Sequence, residues 1–202
     1  MQQSWRQDPD KLTFIICLPA QSSHQDTGSS TPLRPEDDSP ERMVGDINLF
    51  LRIDDGEEGA SAPQIIGEIE LMIAEKQNQR KGFGRAALLA FLRYIVDHEA
   101  AILGEFVGRD ASASEALALS KGTAGSGSGG WRFSCLSVKI GQTNVRSLAL
   151  FESVLFRKVA DEPNYFGEFE LRRTDLGREW VDEALGRAGV RGYTVLEYGR
   201  KS

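Results

Sequence analysis

The sequence predicts an α/β fold, with about six strands in a mixed, mainly antiparallel sheet and helices between them. Three observations carry this. Three apolar, β-branched runs follow one another up to residue 74 with only polar stretches between them. A basic, glycine-containing turn then leads into a run with helical spacing. Near residue 140 a further strand-like run passes through an Asn into a second helix.

The first strand spans Lys11 to Leu18, and Pro19 ends it. Residues 21–42 are rich in Ser, Pro, Asp and Glu, bury little, and read as a disordered insert. Met43 to Ile53 alternates with Val44, Ile47, Leu49 and Leu51, the acidic segment 54–62 turns, and Ile65 to Ala74 completes an antiparallel meander. From Gly84 to about His98, residues Leu88, Phe91, Leu92, Ile95 and Val96 form one apolar helical face. Residues 109–130 contain Ser-Ala-Ser and then Gly-Ser-Gly-Ser-Gly-Gly, which predicts a low-complexity, disordered loop. Trp131 to Ile140 is a strand, Asn144 to Leu155 a helix capped by Thr143 or Asn144, and 157–160 and 165–172 the last strands. A C-terminal helix at 176–185 and an extended segment at 193–198 close the chain. One domain is expected over 1–175, with residues 176–202 packing on it.

Composition narrows the function. A net charge of −6 excludes broad nucleic-acid binding. No apolar run reaches membrane-spanning length and the N-terminus has no signal-peptide pattern, so no membrane partner is expected. Cys17 and Cys135 lie far apart in apolar settings and read as buried free thiols of a reducing, cytoplasmic (or nuclear) protein. No Cys or His cluster predicts a metal. His24, in the insert, and His98, at a helix end, are poorly placed as catalytic bases.

The run Gln79-Arg80-Lys81-Gly82-Phe83-Gly84 sits between the third strand and the first helix. Two glycines permit a tight turn and close backbone approach, and the helix that follows presents unpaired N–H groups and a positive dipole end. Together these form a cradle for a pyrophosphate. The run lacks the third glycine of a dinucleotide fingerprint and the Gly-Lys-Ser/Thr ending of a P-loop. Two alternatives stay open: a plain turn that uses glycine for its geometry, and a nucleotide-phosphate site of another kind.

The order Gln-x-x-Gly-x-Gly after Met72-Ile73-Ala74 resembles motif A of the GNAT superfamily of acetyl-CoA-dependent N-acetyltransferases. The block from Lys139 to Glu152, with Asn144 and Ser147 three residues on, resembles its motif B, and Leu155 to Val159 the strand start after it. Finer wording resembles the N-acetyltransferase 9 subfamily: Ser4-Trp5, Asp10 to Ile15, Met43 to Phe50, Gly67 to Glu75 and Lys139 to Gln142. The resemblance implies helices on both faces of the sheet and pantetheine lying between parted strands as an added strand. It implies main-chain contacts from Met72, Ile73 and Ala74, pyrophosphate on the amides near Gly82, Phe83, Gly84, Arg85 and Ala86, and charge from Gln79, Arg80, Lys81 and Arg85. Asn144 would touch the pantetheine arm or cap its helix.

For the chemistry, the resemblance implies that Glu70, or else Glu68, takes the proton of the acceptor amine; their spacing of two puts both on one strand face. Phe151 stands where many members carry a proton-donating Tyr, and it cannot protonate the departing thiolate. Cys135 reads as core. The fold expected from the resemblance starts with a strand and helices that this chain would lack, leaving Val44, Leu49 and Ile69 in an exposed apolar patch. The expected partners are acetyl-CoA, as co-substrate, and an amine of a protein or peptide; the other outcome is a CoA-binding module with little turnover.

Overall fold

The protein is described by a computed structural model over residues 8–19, 37, 39–54, 63–120, 131–190 and 192–195. Strands β1 (Lys11–Cys17), β2 (Met43–Asp54) and β3 (Gln64–Ile73) form the expected antiparallel meander. Helix α1 (Phe83–Arg109) and the short α2 (Ala111–Ser120) lead to β4 (Cys135–Gly141), which lies parallel to β3. Helix α3 (Val145–Glu152), β5 (Arg157–Lys158), β6 (Glu168–Arg173) and α4 (Arg178–Arg187) follow. The sheet order is β1-β2-β3-β4-β6-β5, with β3–β4 as its one parallel pair. The α/β class and the six-stranded, mainly antiparallel sheet are as the sequence predicts.

Strand register decides which residues are core. Leu49 faces Ile69 across β2–β3, and Ile47 faces Leu71. On that face Leu12, Phe14, Leu51, Ile65, Leu136, Val138, Ile140 and Leu171 join Leu88, Leu89, Leu92 and Ile95 of α1. Leu148 and Phe151 of α3 and Val181, Ala184 and Leu185 of α4 belong to the same cluster. Val44, Ile66 and Cys135 are buried on the opposite face and stand outside it. Each fully buried aliphatic side chain contributes about 1.5–3 kcal/mol, so the contact between the sheet and α1 is a large source of stability. α4 is tied to α1 through Arg93, which pairs with Asp97 at 2.8 Å and with Asp182.

Several expectations are corrected. α1 does not stop near His98 but runs to Arg109, because Leu103 (0% exposed) and Phe106 (2%) keep its apolar face on the core. Residues 111–120, expected within a loop, are helical. Asp110 accepts from the Ala113 N–H at 2.9 Å and starts the helix as its cap, and the Ala and Leu residues of this segment favour helix more than its serines oppose it. The expected insert at 21–42 is described only at 37 and 39–42, where Pro40–Arg42 form a 3₁₀ turn instead of disordered chain. Residues 55–62 of the expected acidic turn, residues 121–130, the segment 196–202 and Ser4-Trp5 lie outside the described residues. The expected apolar patch does not exist: Val44 is 1% exposed and Leu49 and Ile69 are 0%, the latter two because α1 covers their face. β6 begins at Glu168 rather than Tyr165, since Asn164 accepts from the Phe166 and Glu168 N–H groups (2.9 and 3.0 Å) and holds a turn that exposes both aromatics.

Candidate functional site

β3 and β4 pair at only three positions: Ile66 with Cys135, Gly67 with Leu136, and Glu68 with Ser137. β3 continues against β2 as far as Ile73, and β4 continues against β6 as far as Gly141. Beyond Glu68 and Ser137 the two strands therefore part. Gly67 sits at the closed end, where an added Cβ would come within 2.8 Å of Leu49 Cδ1 and 2.9 Å of Leu136 Cδ2. Glycine here lets the sheet pinch shut before it opens.

The ladders also show which backbone groups face the opening. The Ala74 N–H donates to Val44 O at 2.9 Å, so Ala74 is turned toward β2. Direction alternates along a strand, so Met72 turns toward β2 as well, and Leu71 and Ile73 turn toward the gap. Of the three residues expected to offer main-chain groups, Ile73 turns toward the gap, as Leu71 does, and Met72 and Ala74 turn toward β2. On β4 the Gln142 N–H reaches Gly167 O at 2.8 Å, and the same alternation points Lys139 into the gap.

The loop after β3 holds a short 3₁₀ turn, Lys76–Asn78. Gln79 folds back, its Nε2 donating to Ile73 O at 2.9 Å, so this side chain braces the loop. Arg80 (φ 63°) and Gly82 (φ 90°) are both left-handed. Gly82 is the residue before the first turn of α1 and supplies no side-chain cap, and no acid stands in that turn. The Ala86 N–H donates to Gly82 O at 3.0 Å, which leaves the Phe83, Gly84 and Arg85 amides as the uncapped donors. An added Cβ at Gly84 would meet Ile73, Leu150 and Leu71 at ordinary contact, 3.8 Å. Arg85 Nη1 donates to Ser153 Oγ at 2.9 Å and joins α1 to the end of α3. Arg80 and Lys81 are exposed beside the loop.

Glu68 and Glu70 share a face of β3 but not an environment. Glu68 accepts from Lys139 Nζ at 2.9 Å, across the last pair before the strands part. Glu70 is exposed and lies one step into the opening, opposite Asn48. Lys139 is the residue that separates the two carboxylates, and one sequence cannot show that pairing because its partners are 71 positions apart. Asn144 caps α3, its Oδ1 accepting from the Ser147 N–H at 3.2 Å, so any further contact falls to its Nδ2. Phe151 is 3% exposed and packs edge-on against Phe156 at 5.2 Å. Cys17 and Cys135 are both free; burial pushes the Cys135 thiol up, which keeps it from acting as a nucleophile. Among the described residues, no helix is long and apolar enough to cross a membrane.

No protein-family model matches the chain. It is 32% identical to the N-acetyltransferase 9-like protein of Schizosaccharomyces pombe, covering 86% of this chain and 76% of that one. It is 35% identical to alpha/beta-tubulin-N-acetyltransferase 9 of Drosophila melanogaster (92% and 70%) and 32% identical to the Homo sapiens protein of that name (96% and 70%). Among solved structures, Arabidopsis thaliana NAA60 in complex with acetyl-CoA aligns over 83% of this chain and 78% of its own, at 11% identity and a TM-score of 0.45. The parted strands, the uncapped helix start and a third of the residues in common over most of the chain lead to one conclusion: the chain belongs to the N-acetyltransferase 9 family of N-acetyltransferases.

Proposed function

We propose that the chain moves the acetyl group of acetyl-CoA to a primary amine of a protein or peptide. The observation that carries this reading is the parting of β3 and β4 immediately beside the uncapped start of α1. An extended amide-bearing arm fits the gap, where Leu71, Ile73 and Lys139 offer main-chain groups, and a pyrophosphate fits the amides of Phe83, Gly84 and Arg85. Arg80 and Lys81 add charge at the mouth. This pairing of an added-strand slot with an anion cradle suits CoA better than ATP, which has no arm to fill the slot.

Acetyl-CoA supplies an activated thioester. The amine nitrogen bonds to the acetyl carbon, the carbon–sulfur bond breaks, and the amine gives up a proton. In this reading Glu70 takes that proton; the support is that Lys139 holds Glu68 in an ion pair and leaves Glu70 open. Phe151 has no proton to give, so the thiolate is protonated from solvent. Relatives from Drosophila melanogaster and Homo sapiens carry tubulin in their names, and a tubulin amine is the first acceptor to test. Calorimetry with CoA and with ATP, followed by thiol release with tubulin and its N-terminal peptides, tests the reading. Equal affinity for the two nucleotides, or CoA binding without thiol release for any amine, would overturn it.

A further inference from the structure

Beside the opening, strand register lays three rows of side chains across the polar face of β1, β2 and β3. They are Ile15–Asp46–Met72, Thr13–Asn48–Glu70 and Lys11–Phe50–Glu68. The middle row is hydrogen-bonded. Thr13 Oγ1 donates to Asn48 Oδ1 at 2.7 Å, and Asn48 Nδ2 donates to Asp46 Oδ2 at 2.6 Å. Asn48 is only 5% exposed, so its carboxamide is held at both ends and fixes one oxygen of Asp46 in place. The row neighbours of Asp46 are apolar and open to solvent: Ile15 is 50% exposed and Met72 55%.

In the third row Lys139 pairs with Glu68 at 2.9 Å, and the Lys11 ammonium lies 4.7 Å from the centre of the Phe50 ring. Negative charge without a cationic partner among the described residues is left on Asp46 and Glu70. A further observation on the same face points to a ligand. Ser137, opposite Glu68 at the closed end of the opening, is 0% exposed and its hydroxyl has no hydrogen-bond partner. A buried hydroxyl in that state is costly, and a polar atom entering at the vertex would relieve it.

We infer that this face docks a lysine or arginine side chain of the acceptor protein, its aliphatic stem between Ile15 and Met72 and its cation on Asp46. An oriented carboxylate between two exposed aliphatic side chains matches that chemistry and no neutral or acidic residue. Asp46 and Glu70 are diagonal neighbours on adjacent strands, about 7–8 Å apart, so an extended acceptor can place its cation on one and its reacting amine at the other. The inference rests on acetyl transfer to a protein amine at Glu70. It adds Asp46 as a residue that selects the acceptor.

The test uses the whole chain with CoA bound and two peptides that differ only beside the amine, one with lysine and one with norleucine. Wild type should bind the lysine peptide roughly tenfold more tightly, and Asp46→Asn should bring the two within about twofold with CoA affinity unchanged. Ile15→Lys, at an exposed position, should invert the preference. Equal binding of both peptides by wild type, or a tenfold preference kept by Asp46→Asn, sinks the inference. Lysine-selective binding without acetyl transfer leaves the docking in place and overturns the proposed reaction. Acetyl transfer with equal kcat/KM for both peptides does the reverse.

Discussion

Two strand–turn–helix units meet at the opening, and they finish their helix N-termini in opposite ways. β3 enters α1 through Gly82, a left-handed residue with no side chain to cap, and the first amides are left without partners. β4 enters α3 through Asn144, whose side chain closes on the Ser147 N–H. The lengths explain why both work. α3 has 8 residues and depends on a cap worth about 1 kcal/mol. α1 has 27 residues and a buried face, so it can go without one, and its dipole end stays open. The same contrast holds for the paired carboxylates: Glu68 is neutralised by Lys139 and Glu70 is left open. At this site the groups left without a partner are the ones available to ligands.

The largest expected break in that contrast comes from Glu70. Glu70→Gln should lower turnover by roughly 10²- to 10⁴-fold with little change in CoA affinity, whereas Glu68→Gln should lower it far less. Steady-state kinetics with one acceptor peptide checks this, and equal losses in the two variants would erase the distinction.

Next comes Gly84→Asp. Its Cβ meets only side-chain carbons at 3.8 Å, so the variant should fold. The added charge and bulk at the anion cradle should weaken CoA binding by more than about tenfold, or about 1.4 kcal/mol. The matched change at the other helix, Val145→Asp, places an acid at the first turn of an already capped helix and should leave CoA affinity within about twofold. Calorimetry on both variants reads the difference directly.

Asn144→Ala should cost about 1 kcal/mol of stability in urea unfolding, because the α3 cap is lost. A drop in CoA affinity of more than about tenfold would show that Nδ2 also holds the ligand. The smallest effect is expected at the bond that joins the two units. Arg85→Met removes the contact with Ser153 and should change CoA affinity by less than about threefold, since side-chain bonds of this exposed kind contribute little. A larger loss would mean that Arg85 leaves Ser153 for phosphate.

Much of this was legible in one sequence. Alternation placed β2 and β3 to within a residue at each end, and the glycines at 82 and 84 marked the turn into α1. What was misread has local causes. Serines at 112 and 114 looked like loop, although Asp110 and the alanines around them start a helix. The helix read from Gly84 ended near His98, but buried Leu103 and Phe106 carry α1 on to Arg109, past Gly104 and Gly108. Val44, Leu49 and Ile69 were expected to be exposed because their cover was sought upstream, while α1 itself closes over the latter two.

The sequence by itself determined the fold class, most of the strands and the glycine turn into α1, because periodicity and turn chemistry are properties of neighbouring residues. Tertiary structure alone decided where β3 and β4 part, which of their carbonyl and amide groups face the gap, that Lys139 neutralises Glu68 but not Glu70, and that Thr13 and Asn48 orient Asp46. Each of these depends on register between strands far apart in the chain. A slip of one residue would turn every side chain to the other face.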